Sequence, residues 1–343
     1  MPLNKIWVLK KKLVSGSPQE EHFLLNDEQT LDLRKGEILC RTLFLSVDPI
    51  TRLYMTYAMD PGDPFPGRQI ARVVESRHKD FPRGKLICGS LGWQAYSVIQ
   101  PDVVQDMCGH KIPLVADLPS QLEHTKLPKT AALGILGIPG VTAYISLIHA
   151  CKVSGGETVV ISSAAGQIGH IIGQIAKILG CRVVGYTGNS DKASWLKTEL
   201  GIDNVFNYKT QEVETTLKIG APYGVDIFID SVGGAFHSKI IDKMNLRGRI
   251  CILGSLSMYD TPCQVPSVPA MDMDVALKEL TIMGFNIYRY WDKVSEALDQ
   301  LTDWCEEGQL QVHEEMVEGI ENVPNAFIDQ LGGKYHGKLI VRI

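Results

Sequence analysis

The segment VVISSAAGQIGHIIGQIAKILGCRVVGYTGNSDK, Val159 to Lys192, contains an apolar strand, a small-residue turn, an amphipathic helix and a second strand. In the G-x-G-x-x-G form of this unit, the first glycine permits the tight turn. The second lets backbone amides approach a pyrophosphate, and the third lets the helix pack close. Here the three positions are Ala164, Gly166 and Gly169. One small-residue turn is a weak signal, but its placement between strand and helix, with a second strand about twenty residues on, points to a dinucleotide site. The second strand ends in Tyr-Thr-Gly-Asn-Ser, with no acid to accept from a ribose 2′-hydroxyl. A carboxylate there would repel a 2′-phosphate. Gly188, Asn189 and Ser190, with Lys192 beyond, favour NADP over NAD, although Asp191 weakens the cationic character.

Outward from this segment, strands alternate with helices. After Leu133 come a helical stretch GVTAYISLIHACKV, the central unit, the helix DKASWLKTELG and the strand NVFNY. A helix around QEVETTLKIG, the strand GVDIFIDSVGG, the helix FHSKIIDKM and the strand GRICILGS follow. Such alternation implies right-handed crossovers and a parallel sheet. The first third differs. EILCRTLFLSVD (37–48), RQIARVVES (68–76) and GKLICGSLGWQAYSVIQ (84–100) read as antiparallel strands, and PGDPFPG (61–67) as a loop. The closing GKLIVRI reads as a strand returning to that domain. The expected division is 1–130 completed by 311–343, with 131–310 as the nucleotide-binding domain.

The 343 residues suffice for two cores. A net charge of −5, with 45% hydrophobic and 21% charged residues, leaves no basic footprint for nucleic acid and no membrane span. The start shows no secretory signal, so a cytoplasmic protein is expected. The eight cysteines (Cys40, Cys88, Cys108, Cys151, Cys181, Cys251, Cys263 and Cys305) are scattered, without a C-x-x-C pair or clustered histidines. They read as buried thiols, and no metal site is expected. His149, His170 and His237 show no acid partner in the sequence and are read as non-catalytic. His170 is expected to face pyrophosphate or solvent.

The set LFLSVDP, VVES, GWQAYS, LGIPGVTAY, GGETVVISSAAGQIG, VFNYKT, VDIFIDSVGG and NAFIDQLGGKYHGKLIV, in this order, resembles the zinc-independent medium-chain dehydrogenase/reductase family. The likeness spans essentially the whole chain and is nearest to the alkenal double-bond reductase branch. It implies an α/β protein with a GroES-like β domain and a Rossmann domain with a doubly wound parallel sheet. It also implies an NADPH-dependent enzyme reducing the double bond of α,β-unsaturated aldehydes and ketones, 15-oxo-prostaglandins among them. A small apolar enone or enal substrate and a homodimer through the Rossmann domains are part of that expectation.

By the same resemblance, Ala165, Gly166, Gln167, Ile168 and Gly169 take the pyrophosphate turn, and Lys192 and Tyr208 lie beside the 2′-phosphate. Cys251, Leu253, Gly254, Phe285, Ile287 and Tyr335 also fall at cofactor positions. Tyr259 is the catalytic candidate: neutral at working pH, it donates to the oxygen on which enolate charge develops. Ile50, Tyr54, Trp93 and Tyr288 are candidates to line the substrate slot. The chain departs from the family pattern at Ile50, usually tyrosine; at Tyr335, where relatives carry asparagine; at Ser231 for asparagine; and at Ile138 for methionine. A quinone reductase of the zeta-crystallin kind and an NADPH-binding protein without turnover remain the rival readings.

Overall fold

The computed structural model describes residues 2–30, 32–260 and 271–343. Cys263 therefore lies outside the described residues. The backbone separates into two units, Met1–Gly137 with Glu314–Ile343, and Ile138–His313.

In the second unit a six-stranded, all-parallel sheet is built from Thr158–Ile161, Arg182–Thr187, Asn204–Asn207, Val225–Asp230, Met244–Ile252 and Thr281–Gly284. Numbered along the chain, their spatial order is 3-2-1-4-5-6. This is the doubly wound dinucleotide-binding order, and its direction reverses between the first and fourth strands. The inner strands are continuous apolar runs because helices cover both faces of such a sheet. Val160, Val184, Val225, Phe228 and Ile250 meet Leu217, Ile240 and Ile241 in one core. The sixth strand, TIMG, is short and largely exposed, and its sequence shows neither alternation nor an apolar run that would announce it. GVTAYISLIHACKV forms the helix Ile138–Ile145, which widens into a π-helical turn over Ser146–Ala150.

The first unit holds a seven-stranded sheet, with the terminal strand Lys338–Arg342 antiparallel to Ile38–Ser46. The long run from Gly84 divides into Leu86–Ser90 and Tyr96–Ile99, interrupted where Gly92 takes φ +84°. An edge strand, Glu314–Glu318, pairs parallel to Lys338–Arg342; its acidic sequence gives no strand pattern. The core is aromatic: Trp93 stacks on Phe65 at 4.7 Å between ring centres, with Phe23 and Phe327 close by. Among the described residues, no helix is long and apolar enough to cross a membrane.

Candidate active site

The turn after the first strand is held by its backbone. Ser163 takes φ +51°, a left-handed conformation uncommon for a side-chain-bearing residue, and its carbonyl accepts from the Gly166 N–H at 2.9 Å. A Cβ on Gly169 would stand 2.4 Å from the Ser163 carbonyl oxygen and 2.8 Å from Ala164 Cα, so this position has no room for a side chain. Here the helix Gly169–Ile178 begins, its first turn pressed against the strand end. Alanine serves at the first motif position because the second strand supplies the missing space. A Cβ on Gly185 would come within 2.9 Å of the Ala164 Cβ. Ala165 and Gly169 are buried, while Gly166, Gln167 and Ile168 are half-buried at the turn. Partly accessible backbone before a helix N-terminus is suited to a pyrophosphate.

His170 does not face solvent or a phosphate; it is 2% exposed, against expectation. Its Nδ1 pairs with the Gly166 carbonyl at 2.8 Å, and burial, with a smaller contribution from His313, lowers its pKa to about 4. It braces the turn as a neutral ring. Two other histidines do have acid partners, correcting the sequence reading. His149 Nε2 lies 3.0 Å from Glu296, and His237 Nδ1 lies 2.7 Å from Asp230.

At the ends of the second and third strands, Asn189 caps the helix Ser190–Thr198, accepting from the Asp191 and Lys192 N–H groups. The Asn207 amide donates to the Ser190 hydroxyl at 3.0 Å, joining the two strand ends. A Cβ on Gly188 would meet the Tyr208 hydroxyl oxygen at 3.2 Å and Lys209 Nζ at 3.4 Å. Lys192, with 7% exposure, is packed into the same helix start. Burial raises the Tyr208 pKa, so its hydroxyl is a neutral donor. Lys209 was absent from the sequence reading; its signal was its place directly after Tyr208 in NYKT.

At the switch point between the first and fourth strands sits Asp230, with no exposure. Its Oδ1 accepts from the Ser162 hydroxyl at 2.7 Å, the Val232 N–H at 2.9 Å and the Gly233 N–H at 3.1 Å. Oδ2 accepts from His237 at 2.7 Å and from the Gly233 N–H at 3.2 Å. Burial pushes this carboxyl up, but the donors, His237 foremost, outweigh it and hold the pKa below the usual carboxylate range. This cluster also escaped the sequence reading, although an acid closing the apolar strand VDIFID before Gly-Gly was its available signal.

The loop after the fifth strand leans on the same corner. Leu253 and Gly254 donate to the Asp230 carbonyl at 2.7 and 3.4 Å. Tyr259 follows the short helical turn Leu256–Met258, and a Cβ on Gly254 would lie 3.4 Å from its hydroxyl oxygen. Phe285 donates its N–H to the Ile252 carbonyl, stacks on Tyr290 at 5.2 Å, and precedes buried Ile287 and half-buried Tyr288. The Cys251 side chain is fully buried, and the neighbouring Cys151 thiol and burial both push its pKa up. The residue as a whole has no exposed surface, against the expectation that it contacts the cofactor.

The remaining candidates belong to the first unit. Ile50 and Tyr54 are exposed, one turn apart at the helix Thr51–Tyr57. Tyr335 packs beside the aromatic core, and its hydroxyl donates to Asp329 at 3.4 Å. Trp93 corrects the expectation that it lines a slot. It has no exposed surface, because the indole fills the centre of the Phe65–Phe23–Phe327 stack.

Comparison with known proteins agrees with this geometry. A family model described as the N-terminal domain of oxidoreductase matches residues 5–107, and one described as zinc-binding dehydrogenase matches 168–303. The chain is 41% identical over 340 residues to prostaglandin reductase 1 of Bos taurus, covering 98% of each. It is 31% identical to the NADP(+)-dependent 2-alkenal reductase of Nicotiana tabacum, over 98% of this chain and 96% of that one. The crystal structure of CurA in complex with NADPH from Vibrio vulnificus superposes with a TM-score of 0.87 at 30% identity, covering 98% of each chain. A sheet ordered 3-2-1-4-5-6, a terminal strand returned to a β domain, and these whole-length likenesses lead to one conclusion: the chain belongs to the zinc-independent medium-chain dehydrogenase/reductase family.

Proposed function

We propose that this protein is an NADPH-dependent reductase of the carbon–carbon double bond in α,β-unsaturated aldehydes and ketones. The observation that carries the cofactor half is the strand-end site around Gly188. It places a neutral tyrosine hydroxyl and a lysine ammonium together beside a pyrophosphate-type turn. This donor set fits a 2′-phosphate, which wants cations and hydroxyl donors and no carboxylate. The reactive half rests on whole-length likeness to a 2-alkenal reductase and a prostaglandin reductase.

NADPH, when bound, supplies a hydride for the β-carbon; the chain supplies binding, orientation and charge stabilisation. Gly166, Gln167 and Ile168 would offer backbone at the pyrophosphate, with Gly169 letting the helix approach. Lys192, Tyr208 and Lys209 would hold the 2′-phosphate. Leu253, Gly254, Phe285 and Ile287 would form the nicotinamide side. Tyr259 would donate its hydroxyl proton in a hydrogen bond to the substrate carbonyl oxygen, where negative charge collects as the β-carbon is reduced. Ile50, Tyr54 and Tyr288 are the proposed apolar contacts of the substrate, and Tyr335 a proposed contact of the cofactor.

The nucleotide-binding role of 131–310, completed by a catalytic domain of 1–130 and 311–343, belongs to the same reading. So does a cytoplasmic homodimer acting in lipid metabolism. The sixth strand, Thr281–Gly284, supports pairing between copies, since it ends the sheet with an exposed edge.

The test is NADPH consumption with 4-hydroxynonenal, a 15-oxo-prostaglandin and a simple quinone, repeated with NADH and with Tyr259→Phe. Turnover of enones with NADPH, lowered about tenfold or more in kcat by the substitution, is expected. Turnover of the quinone alone, or NADPH binding without turnover, would overturn the reading.

A further inference from the structure

We propose that Asp230, braced by His237, is a positioning residue that sets the Tyr259 hydroxyl. The inference rests on the reading of Tyr259 as the donor to the substrate carbonyl. Asp230 touches neither substrate nor cofactor in this account; it acts through the backbone that carries Tyr259.

Each link is a hydrogen bond. The Asp230 carboxylate takes the Val232 and Gly233 N–H groups, and Ser162, which donates to it, accepts from the Ser231 N–H at 2.8 Å. With three successive amides pinned, the carbonyls of Ser231 and Val232 have fixed directions. They accept from the Leu256 N–H at 2.9 Å, the Ser257 N–H at 3.0 Å and the Ser257 hydroxyl at 2.6 Å. The Leu256 carbonyl in turn accepts from the Tyr259 N–H at 3.2 Å. On the other side the Asp230 carbonyl holds Leu253 and Gly254, and a Cβ on Gly254 would lie 3.4 Å from the Tyr259 hydroxyl oxygen. One buried residue therefore fixes both the base of the Tyr259 loop and the surface under its hydroxyl.

The chemistry requires a carboxylate. Both oxygens are acceptors only, and four donors converge on them, the Gly233 N–H shared between the two. An asparagine would turn an NH2 group toward one of two sets of donors, leaving buried donors without an acceptor. His237 completes the set from the helix Gly234–Ile241, its ring 5.6 Å from Phe228 and held away from solvent. Its Nδ1 position is one that an asparagine amide can mimic and a leucine cannot.

The test is a double-mutant cycle between Asp230→Asn and Tyr259→Phe in the full chain, reading kcat and the KM for NADPH separately. Asp230→Asn is expected to lower kcat about tenfold or more, with the KM for NADPH within about threefold of wild type. In the Tyr259→Phe background the same substitution should cost less than about twofold, because there is no hydroxyl left to misplace. His237→Leu should lower kcat in the same direction and His237→Asn should restore it, which carries the test if Asp230→Asn fails to fold. An equal kcat loss from Asp230→Asn in both backgrounds would overturn the inference while leaving Tyr259 in its role. So would a loss confined to the KM, or His237→Asn behaving like His237→Leu. Wild-type turnover by Tyr259→Phe alone would remove the role of Tyr259, and this inference with it.

Discussion

Replacing Gly188 with aspartate should invert the nucleotide preference. Gly188 does not occupy a positive-φ conformation, so its backbone accepts a side chain. A new Cβ would meet Lys209 Cε at 2.9 Å, Tyr208 Oη at 3.2 Å and Lys209 Nζ at 3.4 Å. The closest of these is the far end of a flexible lysine, which can move aside, so the fold should survive. The carboxylate would then pair with the Lys209 ammonium and face a phosphate bound there, for which a separation of about 5 Å is assumed. Two unit charges at that separation repel by about 3 kcal/mol at an effective dielectric of 20, and by about 2 kcal/mol after screening at physiological salt. Loss of the lysine to the new ion pair adds to this. NADPH affinity should fall about 30- to 100-fold, while NADH, with a free ribose hydroxyl to donate to the aspartate, should hold or gain. Cofactor titration followed by tryptophan fluorescence at low and high salt measures both. The NADPH penalty should shrink with salt. If both cofactors weaken equally, or neither changes, the 2′-phosphate does not sit at this corner.

Two further outcomes follow from the turn. Gly169→Ala places a methyl 2.4 Å from a carbonyl oxygen with no flexible neighbour to yield, so the helix must retreat from the strand. A stability loss of about 1–3 kcal/mol by denaturant titration, with NADPH binding weakened about tenfold or more, is expected; an unchanged affinity would refute the role of the close approach. His170 gives a pH signature. Its folded pKa, about 4, lies below the ordinary 6.5, so between those values the unfolded chain binds the extra proton. Its contribution is complete above about pH 6.5 and declines as pH falls toward 4, by about 3 kcal/mol over the window. Thermal midpoints measured across that window should fall more steeply in the wild type than in His170→Gln; parallel slopes would contradict the buried, neutral ring.

The two-domain α/β architecture was legible because both of its signals are local. Apolar runs such as VDIFID alternate with amphipathic helices at the period of crossover units, and GKLIVRI keeps a strand pattern to the end of the chain. The phosphate turn was legible for the same reason, since small residues at three positions report directly on backbone proximity. The sixth strand was not. TIMG is exposed on nearly every residue and is recruited by hydrogen bonding to Met244–Ile252 rather than by its own pattern.

For the candidate site, the family resemblance pointed to Tyr208 and Tyr259, but which partners stand beside them is a tertiary matter. Trp93 reads the same on a slot wall as in a core, and only the stack of Phe65, Phe23 and Phe327 around it decides for the core. His237 has no acid beside it in sequence; the helix Gly234–Ile241 folds back by seven residues to set it on Asp230. Sequence by itself determined the order of elements, the turn that a dinucleotide needs and the absence of an acid after Thr187, because each is written within one contiguous segment. Tertiary structure alone decided that Ser162, Asp230, His237 and the Tyr259 loop meet. Parallel strands bring their C-terminal ends together only when the sheet assembles, and side chains about seventy residues apart then share one buried hydrogen-bond network.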